Sequence, residues 1–290
     1  MTRMWGVVWL VVGGLSLGAG AAAQVDPSGR WRTLHTPHFR IHFRPDERDV
    51  ARRAAREAER AYALLTAELH PPRGMVDLTL GDDIDASNGF ASVAPSNRIT
   101  VLLAPPADDP ALQDNDDWLR LVITHELAHV FHLDRTRGFW RVLQGVFGRA
   151  PGLFPNAYQP SWVIEGFATY YESRLTTAGR ADGSFHTQLL AADAGASRSP
   201  WDALRFTRWP GGSLPYAYGS RFFHSLAQRA GDSLIPRFGE ATAGQLIPYR
   251  VGRQLRRVGA SADLQRDWRA MTRPAPGPAP PVSGRLIVGG

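Results

Sequence analysis

The sequence predicts an α+β fold: a small mixed β-sheet lobe and a mainly helical lobe, with a cleft between them. Three observations carry this expectation. Short segments with period-two alternation lie in the first third of the chain. Segments with apolar residues three and four apart fill most of the rest. The 290 residues are 43% hydrophobic and 21% charged, enough to bury a core without staples. Strand signals grouped ahead of helical signals indicate segregated β and α layers rather than an alternating parallel sheet.

The elements follow in order. Arg3, an apolar run from Trp5 to Leu17 of about thirteen residues and the small residues Ala21-Ala22-Ala23 predict a signal peptide over residues 1–23. A membrane span needs about 20 apolar residues, so export with cleavage is favoured over an uncleaved anchor. The expected location is periplasmic or secreted, and a chain without cysteine carries no lipidated cysteine at the cleavage site. Phe39 to Phe43 alternates as a strand, and Asp46 to Leu69 reads as a long amphipathic helix. Met75 to Leu80 and Arg98 to Leu103 read as two further strands, separated by a turn-rich stretch from Gly81 to Asn97. The opening is therefore β-α-β-β. Helical patterns follow at Asp116 to Leu133, Phe139 to Phe147, Ser161 to Leu175, Phe185 to Ala194 and Tyr218 to Ala230. One domain is expected over residues 24–273. Residues 274–281 form a proline-rich linker that cannot be helical, and residues 282–290 a stub too short for a domain.

All 33 basic residues are arginine and the formal charge is +6, but they are scattered rather than gathered in a run. Nucleic acid is therefore not an expected partner.

The chemistry is concentrated at His125-Glu126-Leu127-Ala128-His129, inside the apolar segment Leu119 to Leu133. Residues four apart share a helical face, so both imidazoles can reach one ion. Glu126 lies about 100° round the helix, placed to accept a proton rather than to ligate. The alternative is a buried helix with hydrogen-bonded histidines. Burying two His and a Glu without partners is costly, which favours a metal site. A catalytic zinc needs a third protein ligand and an open fourth position. The metzincin form would require Gly at 132 and His at 135, where this chain has His132 and Arg135. His132 and Asp134 are offset from the ligand face and serve better as outer-sphere partners. Glu165 remains, in the second turn of a helix starting near Ser161, with Gly166 and Ala168 small enough to let that helix pack tightly on the first.

At His125-Glu126-Leu127-Ala128-His129 and Glu165-Gly166-Phe167-Ala168 the sequence resembles the gluzincin, or peptidase MA, superfamily of zinc peptidases. The resemblance implies a zincin-like fold with His125, His129 and Glu165 as zinc ligands and Glu126 as general base. Tyr216-Ala217-Tyr218-Gly219 resembles that family's Tyr-x-x-Gly segment, which implies Tyr216 as the oxyanion donor, with Tyr218 as its substitute. The interval from His129 to Glu165 is longer than in aminopeptidases, and their amino-terminus-gripping loop has no counterpart; Asn88-Gly89-Phe90-Ala91 is a weak candidate for a substrate-edge segment. The layout also resembles bacterial peptidase MA-like proteins that continue into a TolB-like β-propeller.

Glu172, seven residues after Glu165, is placed either to orient a ligand histidine or to pair with an arginine such as Arg174. Trp140, Phe147, Phe154, Tyr158 and Trp162 are candidates for cleft walls or for core. The expected function is an exported zinc metallopeptidase acting on a peptide or protein. Two other readings are an envelope scaffold with an idle or structural metal and a partner on its linker, and a zinc hydrolase of a non-peptide amide.

Overall fold

The computed structural model describes residues 25–107, 109–194, 198–201, 212–247 and 249–272. The expected signal peptide, the proline-rich linker and the stub lie outside the described residues.

Strands β1 (Arg32–His35) and β2 (Phe39–Phe43) form an antiparallel hairpin in which Arg32 faces Phe43. Phe39, Ile41 and Phe43 are buried and the residues between them are not, as period-two alternation requires when one face covers a core. Helix α1 (Arg48–Thr66) lies on that face through Ala51, Ala54, Ala55, Ala58, Ala61, Tyr62 and Leu65. Its alanines allow close approach to the sheet, while its arginines and glutamates point to water. Strand β3 (Val76–Gly81) pairs parallel with β2, and β5 (Asn97–Leu102) parallel with β3. The short β4 (Gly89–Ser92) closes the edge, antiparallel to β5, giving a mixed sheet of order β1-β2-β3-β5-β4.

Helix α2 (Trp118–Asp134) is buried on nearly every side, as an all-round apolar helix must be, and packs on α1, β4 and β5. The Asp117 side chain caps it by accepting from the Arg120 amide at 3.2 Å. At its other end Asp134 is 2% exposed and accepts from the Arg73 amide at 2.7 Å, Arg73 Nη2 at 2.8 Å and Arg149 Nη1 at 2.6 Å. These bonds anchor the helix to the loop before β3.

Helix α3 (Gly138–Phe147) and two 3-10 turns lead to α4 (Ser161–Leu175), followed by α5 (Ser184–Asp193) and α6 (Leu214–Ala230). Helices α7 (Leu234–Thr242), α8 (Val251–Arg257) and α9 (Leu264–Thr272) complete the helical lobe. The central contact of this lobe is the crossing of α4 and α6 at two glycines. A Cβ on Gly166 would overlap the backbone of Gly219, and one on Gly219 would overlap the Trp162 carbonyl oxygen and lie 2.7 Å from Gly166 Cα. Around the crossing Trp162 packs edge-on against Phe222 and Trp268, with centroids 5.2 and 5.0 Å away.

The α+β class with a mixed sheet holds, and five details differ from the sequence expectation. The opening is β-β-α-β-β-β, because β1 and β4 are short strands without a buried alternating face, so neither leaves a period-two signal. Helix α6 begins at Leu214, with Pro215 in its first turn, where its missing amide costs nothing. Helices α7 to α9 were not among the expected elements. Gly166 serves the contact with α6 rather than with α2. Phe147 is exposed on α3 rather than in the core, whereas Phe154 and Trp162 are core, one of the two readings given for these aromatics.

Candidate metal centre

The central helix presents His125 and His129 one turn apart, with ring centroids 4.7 Å apart and planes at 88°. Their Nε2 atoms lie 3.1 Å from each other. Glu165, from the second turn of α4, places Oε2 at 3.2 Å from His129 Nε2 and 3.5 Å from His125 Nε2. Three atoms bonded at zinc distances around a tetrahedral ion would be spaced about 3.3 Å apart. The observed triangle matches one face of such a tetrahedron, and its two imidazole nitrogens and one carboxylate oxygen are donor types that zinc accepts. Glu165 Oε2 is buried and receives no hydrogen bond among the described residues, an expensive state for a carboxylate oxygen unless a cation meets it. The donor set therefore fits a zinc ion.

A second layer holds the first. Glu172, fully buried, accepts from His125 Nδ1 at 2.8 Å, and Arg180 donates to it through Nη2 at 2.6 Å, Nε at 2.9 Å and its backbone amide at 3.0 Å. Arg180 Nη2 is also 2.8 Å from His125 Nδ1. One ring nitrogen cannot both donate and accept, and the carboxylate is the stronger acceptor, so the Nδ1 proton goes to Glu172. This fixes the tautomer that leaves Nε2 free to ligate. Burial penalises the charge on Glu172, but Arg180 and the His125 bond overcome it and hold the carboxyl below its usual range. Burial likewise opposes ionisation of Glu165, and the two imidazoles reverse the balance.

Glu126 differs from both. It is 6% exposed, and burial pushes its carboxyl up to about 7, with Glu165 and Glu172 adding to the rise against His129 and Arg180. The backbone of β4 lies directly over it: a Cβ on Gly89 would sit 2.6 Å from Val122 Cγ2 and 2.7 Å from Glu126 Oε1. The centre thus lies where the sheet edge meets the helical lobe.

Tyr216 and Tyr218 are two residues apart in the first turns of α6 and so point in different directions. Tyr216 stacks toward His125 at a centroid distance of 6.1 Å, with the Arg180 guanidinium 4.9 Å from its ring centre. Burial and the Glu165 carboxylate push its phenol well above the ordinary range. Tyr218 turns away, donating to Asp193 at 2.7 Å and stacking on Trp268, so it cannot substitute for Tyr216 at the centre.

The outer-sphere expectation for His132 and Asp134 is corrected. His132 stacks on Phe167 at 4.3 Å, and Asp134 binds Arg73 and Arg149; the helical rotation that takes them off the ligand face carries them into other contacts. Of the two readings offered for Glu172 each holds in part: it binds His125, and the arginine it pairs with is Arg180, while Arg174 pairs with Glu68 and Asp232. Arg180 was not foreseen: an isolated arginine in a loop carries no periodicity or spacing to single it out.

No family model matches the chain, and no curated protein is similar to it in sequence. Among solved structures, native yeast LTA4 hydrolase has a similar fold, with a TM-score of 0.53 and 17% identity over 86% of this chain and 40% of that one. The same yeast hydrolase in complex with bestatin gives 0.51 and 17%, over 87% of this chain and 40% of that one. An M1 zinc metallopeptidase from Deinococcus radiodurans is 15% identical, with a TM-score of 0.47, over 86% of this chain and 54% of its own. The chain spans about 40% of the length of the yeast hydrolase. At these identities the likeness is one of fold.

Proposed function

We propose that this chain is a zinc-dependent peptidase acting outside the cytoplasm, with His125, His129 and Glu165 as metal ligands, Glu126 as general base and Tyr216 as oxyanion donor. The observation that carries the reading is the triangle of 3.1, 3.2 and 3.5 Å formed by two imidazole nitrogens and one carboxylate oxygen. The fold shared with yeast LTA4 hydrolase supports it.

A zinc ion in that triangle supplies Lewis acidity toward water and a carbonyl oxygen. The other roles belong to the protein. A carboxyl balanced near pH 7 can take a proton from the attacking water and return it to the leaving amine, which suits Glu126. The Tyr216 phenol, held protonated, can donate to the oxyanion that develops on the substrate. Glu172 and Arg180 hold the His125 ring against rotation. Among the described residues the outer edge of β4 is unpaired, and it begins beside Glu126, so an extended peptide can pair along it and bring a backbone carbonyl to the centre.

The metal-binding group found among the described residues is His125, His129 and Glu165, without the fourth protein ligand that a structural zinc site requires. This favours catalysis over the scaffold reading. The test is zinc content by mass spectrometry together with cleavage of an unbiased peptide library, with and without chelator. Glu126→Gln is expected to retain zinc and lose roughly 10²–10⁴-fold in turnover. Turnover undiminished in that variant would remove Glu126 as base. A zinc-loaded protein that cleaves no peptide would remove the peptidase reading in favour of a scaffold or a non-peptide amide. Export is tested by the amino terminus of the protein recovered outside the cytoplasm, expected at Gln24.

A further inference from the structure

Helix α3 is turned inside out. Its buried position is polar: Gln144 accepts from the Thr136 hydroxyl at 2.9 Å and donates to the Leu153 carbonyl at 2.8 Å. Its apolar side chains face water, with Phe139, Val142, Val146 and Phe147 at 55%, 67%, 71% and 66% exposure. Positions 139, 142 and 146 are three and four apart and share one face. The start of α3 is fixed to the segment after α7: Trp140 Nε1 donates to Gln245 O at 2.7 Å and the Arg137 amide to Ala243 O at 2.9 Å. The next residues of that segment, Leu246, Ile247 and Tyr249, are 62%, 50% and 52% exposed. Two neighbouring elements therefore turn seven large apolar side chains outward, more than scattered surface residues account for.

The charges carried by these two segments are of one sign. Residues 135–150 and 243–258 contain eight arginines and no aspartate or glutamate. Arg135 and Arg137 pair with Glu240, and Arg149 with Asp134. Arg141, Arg250, Arg253, Arg256 and Arg257 are exposed and make no ion pair among the described residues. Arg257 and Gly138 border the same surface depression, which places α8 beside the start of α3.

We infer that this face docks the protein onto an anionic lipid surface, its apolar side chains entering the acyl boundary and its arginines meeting the phosphates. An amphipathic helix with aromatic residues on one side and flanking arginines has the composition of an interfacial segment. A second copy of the chain fits poorly, because a two-fold contact would bring together two faces whose exposed charges without an ion pair among the described residues are all arginines. No described helix is long and apolar enough to cross a membrane.

The chain has no cysteine, so a single Val146→Cys substitution can carry an environment-sensitive fluorophore, with Arg52→Cys on α1 as the control site. Reading the fluorophore at the patch separates this face from any contribution of the apolar leader. Vesicles rich in phosphatidylglycerol are expected to blue-shift the emission at position 146 and not at 52, whereas phosphatidylcholine vesicles leave both unchanged. Arg253→Gln with Arg256→Gln is expected to weaken partitioning roughly thirtyfold. No shift at 146 with anionic vesicles, an equal shift at the control site, or a concentration-dependent shift without lipid, as a protein partner or second copy would give, overturns the inference.

Discussion

Glu172 has no exposed surface and carries a charge, a state tolerated only because Arg180 and His125 surround it. Its effect on the centre passes through the His125 ring. Glu172→Gln is expected to lower zinc affinity about 10–100-fold, read by competition with a chromogenic chelator, while zinc stoichiometry at saturation stays the same. Unchanged affinity would reduce Glu172 to a packing residue. At this scale the sequence was informative wherever a relation is local. The spacing of His125 and His129 is a property of one helix turn, and the seven-residue interval from Glu165 to Glu172 puts both carboxylates on the α4 face turned toward α2. Arg180 reaches the same site from a loop by a path that no interval encodes.

At the scale of elements, two glycines set distances that side chains elsewhere then use. The contact of Gly166 with Gly219 brings α6 against α4 one turn after Tyr216, so the crossing decides where that phenol sits. Gly219→Ala would force backbone apart rather than a side-chain tip. It is expected to cost about 1–3 kcal/mol or more, measured by denaturant unfolding, with Tm lowered. A melting temperature equal to that of the unmodified protein would mean the helices separate freely. Gly89→Val, by contrast, would press on Val122 and Glu126 at the sheet edge. Zinc binding is expected to survive that change and peptide turnover to fall; full turnover would show that β4 does not guide substrate. Helix α4 was legible to the residue, because fifteen residues of apolar pattern following a proline leave little freedom. The four-residue β1 and β4 were not, since a short edge strand is stabilised by its neighbours' hydrogen bonds and not by its own pattern.

For the whole molecule, buried neutral imidazoles govern the response to acid. Burial lowers His132 to about 3 and His186 to about 4, with Arg180 adding to the depression at His186. The ordinary value is near 6.5, so below it the unfolded chain binds protons that the folded chain refuses. The contribution of the two histidines is therefore full above about pH 6.5 and declines as pH falls toward 4; Glu126, raised to about 7, acts in the opposite direction below that value but is one group against two. Calorimetric melting between pH 7.5 and 4.5 is expected to show Tm falling with acidity, and His186→Gln to flatten that dependence. A flat profile in the unmodified protein would refute the burial argument.

The class of fold, the paired imidazoles and the grouping of Glu165 with them were legible from the chain alone, because helical periodicity and side-chain chemistry act over a few residues. That Tyr216 faces the centre while Tyr218 does not, that Arg180 secures Glu172, and that α3 turns its apolar side outward become visible with the folded chain. Each of these depends on how separate helices cross and dock, and crossing is set by close packing between segments far apart in the chain, which no local pattern records.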